Sequence, residues 1–235
     1  MGSLHDLIFC SESFIMLRGI LSDITAIKSQ FCHNLGEELS MIILASASPR
    51  RRELLQQIGC SFRVKVSQAE EVDCQGLQPS VVVEKNAYLK AAAVAALYPD
   101  MPVLGADTVV SLDDDIFGKP RDKEQAREML TRLSGRTHQV STGIAIAWQN
   151  QIWQAYETTE VDFAPLSPAE IDRYLATGEH ADKAGAYGIQ GRAAVFIEQI
   201  RGSYSNVVGL PLHCLYGLAQ KAGIDLYGNG EGSSS

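Results

Sequence analysis

Ser46, Ser48, Arg50 and Arg51 fall in one short stretch, Leu44-Ala-Ser-Ala-Ser-Pro-Arg-Arg-Arg-Glu53, and their types suit the binding of an anion. Ser48 reads as an N-cap and Pro49 as the first helical residue, so a helix begins directly after the aliphatic run Met41 to Ala45. Arg50, Arg51 and Arg52 then stand in the first turn. The helix dipole already presents about half a positive charge there and favours acids. An anion resting on the N–H groups of the turn from Ser48 to Arg51 corrects that imbalance, and a phosphate chain is the commonest anion to use such a site. The plain alternative is a solvated surface helix that begins with arginines, since each misplaced charge costs only about 0.3–1 kcal/mol.

Asp107 interrupts the apolar run Val103 to Val110. A carboxylate in a buried strand is costly unless cations or a metal pair with it, or backbone donors satisfy it at the strand end. Two lysines stand out in the flanking segments. Lys90 lies on the side of a long helix, Ser80 to Leu97, that also carries Val83, Ala87 and Val94. Lys119 precedes Pro120, which fixes the backbone just beyond it and directs the ammonium towards the Asp107 edge. Glu70 and Glu71 add carboxylates in the acidic turn Glu70-Glu71-Val72-Asp73.

The elements that must position these groups alternate between helix and strand. A strand at 41–45 leads to a helix at 49–58 closed by Gly59, an alternating strand at 62–66, the long helix, and the Asp107 strand. Asp113-Asp114-Asp115 reads as a solvated hairpin turn, and a helix follows at 122–133. His138 to Trp148 and Ile152 to Phe163 read as an antiparallel hairpin, with His138 a hydrogen-bonded turn residue before it and Trp148 and Trp153 as packing or interface residues. Ser167 and Glu170 have capping-box spacing. The glycine-rich run Asp182 to Gly191 allows close backbone approach to a ligand, and Lys183 within it is a further candidate for phosphate. A strand at 193–200 and a last helix at 211–222 complete the pattern. Ser203, Tyr204 and Asn206 either line the pocket or cap that last helix. The expected fold is α/β: a single domain with a mixed, twisted β-sheet flanked by helices, two lobes around a cleft.

Residues 1–40 do not join the pattern and read as a weakly structured N-terminal extension; 41–225 is the expected domain and 226–235 a Gly/Ser-rich tail. The 235 residues carry a formal charge of −8, which argues against wrapping a nucleic-acid backbone. Five cysteines without C-x-x-C spacing fit a reduced, cytoplasmic setting, and no zinc-ligand spacing links them to the histidines. No apolar run is long enough to span a bilayer. Both the P-loop and the dinucleotide fingerprints are absent.

Ser46-Ala-Ser-Pro-Arg-Arg51, Lys90, Gly105-Ala-Asp-Thr108, Gly118-Lys-Pro120, Asp182-Lys-Ala-Gly-Ala-Tyr-Gly-Ile-Gln190 and Gly202-Ser-Tyr-Ser-Asn-Val-Val-Gly-Leu-Pro211 occur in the order and at about the spacing found in the Maf family. The chain resembles that family over about residues 41–222. The resemblance implies a two-lobed nucleotide-binding cleft and hydrolysis of a nucleoside triphosphate between its α- and β-phosphates, giving a monophosphate and pyrophosphate with a divalent metal, Mg²⁺ or Mn²⁺. Arg51, Thr108 and Gln190 are similar to the positions that distinguish the branch acting on dTTP and UTP. The resemblance further implies a cytoplasmic homodimer and a link to arrest of cell division. The alternative from another class is a non-catalytic nucleotide-sensing regulator of division that acts through a partner protein.

Residue chemistry agrees with the hydrolase. Water attacking an α-phosphorus needs a base, a means of spreading charge over the non-bridging oxygens and a cation for the leaving group. Asp107 is the candidate base, and it matches the catalytic Asp of the family. Arg50, Lys90 and Lys119 are candidate phosphate clamps, with Ser46 and Ser48 donating at the turn. Glu70 or Glu71 is available to share a metal with Asp107. Gln190 offers a donor and an acceptor, matching the O4 and N3–H edge of uracil or thymine, whereas glutamate there would offer acceptors only.

Overall fold

The computed structural model describes residues 41–72, 74, 76–113 and 115–227. The readings of 1–40 as an extension and of 228–235 as tail lie outside the described residues. Within them the chain forms a seven-stranded mixed sheet with helices against it, the α/β architecture expected.

Strand β1 (Met41–Leu44) is followed by α1 (Pro49–Gln57), β2 (Ser61–Val64), α2 (Pro79–Ala95), β3 (Val103–Leu112) and β4 (Asp115–Phe117). Then come α3 (Lys123–Leu133), β5 (Thr137–Trp148), β6 (Gln151–Phe163), α4 (Pro168–Leu175), β7 (Ile197–Arg201), α5 (Tyr204–Val208) and α6 (Leu212–Lys221). The sheet order is β2-β1-β3-β5-β6-β7, with β4 paired to β3. β1 runs parallel to both β2 and β3, and the remaining pairs are antiparallel. This mixture follows from the connections. Helical crossovers return the early strands in parallel, and short turns return the later ones antiparallel. Gln149 and Asn150, both at positive φ, make the tight turn of the β5–β6 hairpin.

Helix α2 packs flat on β3 and β5 because two glycines face it. A Cβ on Gly105 would strike the Ala87 carbonyl, and one on Gly143 would strike the Val83 carbonyl. Ala87, Ala91 and Val94 on the buried side of α2 meet Ile43, Val103 and Ala145 of the sheet. A larger cluster on the other side joins Leu54 and Leu55 of α1 to Leu215 and Leu218 of α6, with Trp148 and Trp153 packed against it. Leu226 is 2% exposed in that cluster, so ordered packing continues past residue 225.

Three expectations need correction. The stretch 193–200 is not one strand: Arg192–Phe196 is a 3₁₀ helix and only Ile197–Arg201 pairs with β6. Its buried residues, Ala193 and Phe196, are three apart, the 3₁₀ spacing, while Val195 between them is exposed. Second, the turn before the last helix contains a helix of its own, α5, capped by Ser203 and ended at Gly209 with φ 120°. Five residues are too few to show a hydrophobic period. Third, His138 is no turn residue; it lies within β5, 2% exposed, opposite Val161. The acidic turn does make a hairpin, joining β3 to the short strand β4.

Candidate active site

A cavity of about 680 Å³ opens beside the C-terminal end of β1, the middle of β3 and the glycine-rich segment 182–191. Ser46, Ser48, Arg50 and Arg51 line it from the turn into α1. Asp107 and Thr108 come from β3, Lys90 from α2, and Lys119 from the segment after β4. Gln190 and Lys183 face it from the glycine-rich segment. Of the two glutamates left open by the sequence, Glu71 lines the cavity and Glu70 does not.

Lys90 is the centre of the acidic side. Its Nζ donates to Asp107 Oδ1 at 2.7 Å and to Glu71 Oε1 at 2.7 Å. The Asp107 side chain is 11% exposed and that of Glu71 61%. Burial pushes the Glu71 carboxyl up, but the Lys90 hydrogen bond and charge, with Lys119 and Arg51 adding to them, outweigh it and hold the group below the usual carboxylate range. The Glu71 carboxyl is therefore anionic at neutral pH, and both carboxylate side chains share the one Lys90 Nζ.

The basic turn divides its labour in a way the sequence did not reveal. Arg51 is 9% exposed and its guanidinium is spent on the protein. Nε donates to Gly209 O at 2.8 Å, Nη1 to Ser46 Oγ and Ala106 O at 3.0 Å each, and Nη2 to Thr108 Oγ1 at 2.9 Å. Burial draws its pKa down, and the charge of Asp107 opposes that shift. Arg50 instead reaches, among the described residues, only Asp182, at 3.4 Å across the cavity rim. The anion cradle is narrower than expected. Pro49 has no N–H, and that of Ser48 turns to Ser46 Oγ at 3.3 Å, which leaves the N–H groups of Arg50 and Arg51 in the unbonded first turn. Ser48 takes the N-cap position without a side-chain cap bond.

Lys119 makes no ion pair among the described residues, whereas Lys183 is occupied by Glu179 O and Asp182 Oδ1. Thr108 Oγ1 lies 3.0 Å from Thr142 Oγ1, which in turn donates to Asn206 O. Asn206 is fully buried, bonded to Val140 O and Thr159 Oγ1, so it ties α5 to the sheet; Ser203 caps α5 and Tyr204 is exposed.

Asn86 is the polar residue that sequence reasoning missed. It is 2% exposed on α2 and bonded to Asp107. Its position one turn before Lys90 was the only local signal, since residues four apart share a helix face.

The donor set suits a divalent cation completed by substrate. Asp107 and Glu71 converge on a single cationic point at the cavity, and an Mg²⁺-like ion commonly takes one or two protein carboxylates and fills its shell with phosphate oxygens and water. Among the described residues there is no group of three or more His, Cys, Asp or Glu arranged to hold a metal by themselves.

A mixed sheet that brings a basic helix N-terminus, two lysines and a paired carboxylate to one cavity defines an α/β protein whose site is suited to a phosphate chain. Residues 41–222 match the family model described as Maf-like protein, and the chain belongs to the Maf family. A dTTP/UTP pyrophosphatase of Symbiobacterium thermophilum is 49% identical over 194 residues, covering 83% of this chain and 100% of that protein. One from Bacillus cereus is 47% identical over 191 residues, covering 81% and 94%. One from Agathobacter rectalis is 45% identical over 206 residues, covering 80% and 100%. Among solved structures, the Ham1 protein of Staphylococcus aureus is similar at a TM-score of 0.38 and 18% identity, over 53% of this chain and 72% of that one.

Proposed function

We propose that this protein is a nucleoside triphosphate pyrophosphatase that hydrolyses dTTP and UTP to the monophosphate and pyrophosphate. The observation that carries the reading is the Asp107–Lys90–Glu71 arrangement facing the arginine turn across one cavity. The names of the relatives support the substrates.

In this reading the triphosphate lies between the N–H groups of Arg50 and Arg51, the Arg50 guanidinium and the Lys119 ammonium, which spread its charge. Asp107 accepts a proton from the water that attacks the α-phosphorus. The bond from that phosphorus to the bridging oxygen breaks, and pyrophosphate leaves. Lys90 holds the Asp107 carboxylate in place and, once substrate arrives, is itself within reach of phosphate. Asp107 and Glu71 are the residues to hold a divalent metal, which when bound supplies positive charge to the phosphate oxygens. Gln190 reads the pyrimidine edge. Arg51 and Thr108 act on base choice by setting the wall of the cavity, since their polar atoms are engaged with the protein.

The reading includes a cytoplasmic homodimer built on the domain 41–225. No helix among the described residues is long and apolar enough to cross a membrane. A sensor of nucleotide that regulates division is less favoured, because binding alone has no need of a carboxylate held by an ammonium beside the phosphate cradle. The test is a panel of nucleoside triphosphates with Mg²⁺ or Mn²⁺, read as pyrophosphate. Release of orthophosphate in its place would overturn the assigned cleavage point.

A further inference from the structure

Asn86 is a primary amide buried on α2, and it bonds in two directions. Nδ2 donates to Asp107 Oδ2 at 2.9 Å, and Oδ1 accepts from the backbone N–H of Val72 at 2.9 Å. The orientation of the amide is fixed by its partners, because a carboxylate only accepts and a backbone N–H only donates. Asp107 thus has one oxygen on Lys90 and the other on Asn86. Val72 is the neighbour of Glu71, whose side chain returns to the same Lys90. One amide therefore links the strand-borne carboxylate to the segment that carries the second carboxylate.

Among the described residues, that segment makes few other hydrogen bonds. Residues 65–72 form no helix or strand, Glu70 and Glu71 are exposed, and Val72 is partly buried against Val82, Val83 and Val109. Lys90 cannot set the spacing alone, since an ammonium on a four-carbon stem is a mobile point charge. The planar amide on a shorter stem, in a packed site, has far less freedom.

We propose that Asn86 is a positioning residue that holds the Asp107 carboxylate in its reactive orientation and, through Val72, keeps Glu71 at the cavity. The inference rests on the hydrolase reading above. Partners that orient such groups commonly govern activity by about 10–100-fold without touching substrate.

Two substitutions separate the two bonds. Asn86→Asp keeps an acceptor for the Val72 N–H but loses the donor to Asp107. Asn86→Ala loses both and adds no charge, so it serves alone if Asn86→Asp does not fold. Hydrogen exchange at the Val72 amide and steady-state pyrophosphate release from dTTP are measured on the full chain. The expected result is a kcat lowered about 10–100-fold in each variant, with KM changed far less because the Arg50 turn and Lys119 are untouched. The Val72 amide should exchange about two- to tenfold faster in Asn86→Ala, the loss of one net hydrogen bond, and near the wild-type rate in Asn86→Asp. A purely structural role would instead lower the melting midpoint with kcat per folded molecule unchanged. Wild-type kcat in Asn86→Ala, or unaltered Val72 exchange in that same variant, overturns the proposal. Wild-type protein that releases no pyrophosphate from any nucleotide overturns the hydrolase reading first, and with it the catalytic half of this one.

Discussion

Lys90 and Asp107 meet at 2.7 Å where α2 crosses β3, with side chains only 15% and 11% exposed. With so little exposure and with partners on both oxygens, the carboxylate is desolvated and oriented by the protein itself. Asp107→Asn keeps the shape and leaves Lys90 bonded to Glu71. It should lower kcat by about 10²–10⁴, the usual worth of a general base, while nucleotide binding measured by calorimetry persists. A variant with kcat within threefold of wild type would remove Asp107 from the chemistry.

Arg51 and Arg50 should behave as opposites. Arg51→Lys replaces a fork that reaches Ser46, Ala106, Thr108 and Gly209 with a point charge that cannot span them. Stability should fall by about 3 kcal/mol, or roughly 6–12 °C in melting midpoint at this chain length. Arg50→Lys, with its partly exposed contact to Asp182, should cost less than about 1 kcal/mol and act mainly on KM. Urea unfolding and steady-state kinetics on both variants test the contrast.

Gly105→Ala and Gly143→Ala would each push a methyl group into the backbone of α2. The helix must move off the sheet, at a cost of about 1–3 kcal/mol or more. Because α2 carries Lys90 and Asn86, activity per folded molecule should fall as well. Normal stability in either variant would show that the contact between helix and sheet is looser than described.

His138 makes the fold sensitive to acid. Burial beside Phe163 and Tyr187 pushes its pKa down to about 4, against the opposing charge of Asp162 and the Arg136 carbonyl. The folded ring is neutral, with Nε2 2.7 Å from Tyr187 Oη, whereas the unfolded chain takes up a proton near pH 6.5. The unfolded state binds more protons between those values, so stability is complete above about pH 6.5 and declines towards pH 4, by about 3 kcal/mol in all. Unfolding free energy measured across that range should flatten in His138→Gln. Tyr187 lines the cavity, so the same pair also braces the glycine-rich segment.

Gln190→Glu removes a donor from the side of the cavity assigned to the base. The expected loss in kcat/KM for UTP is about 10–100-fold, one to three kcal/mol of pairing, while inhibition by pyrophosphate, which has no base, stays unchanged. Equal losses for both ligands would place Gln190 with the phosphates.

The sequence alone determined what depends on near neighbours. Ser48-Pro49 before three arginines announced a helix start whose charges oppose its dipole, and Asp107 inside an apolar strand announced a carboxylate in need of a cation. Alternation and short connections announced a mixed sheet with helices. Those signals survive in a linear reading because capping, dipole and periodicity act within a few residues. Only the tertiary structure decided which partner each polar group takes. Arg51 and Gly209 are 158 residues apart in the chain, so nothing local distinguished the buried arginine from its neighbour Arg50, which stays at the cavity rim against Asp182. Asn86 reaches Asp107 across 21 residues only because glycines at 105 and 143 let α2 lie close to the sheet. His138 became a core residue for the same reason, since strand register and packing set burial. A side chain's own type gives its capacity to bond, and the fold chooses the groups that fill it.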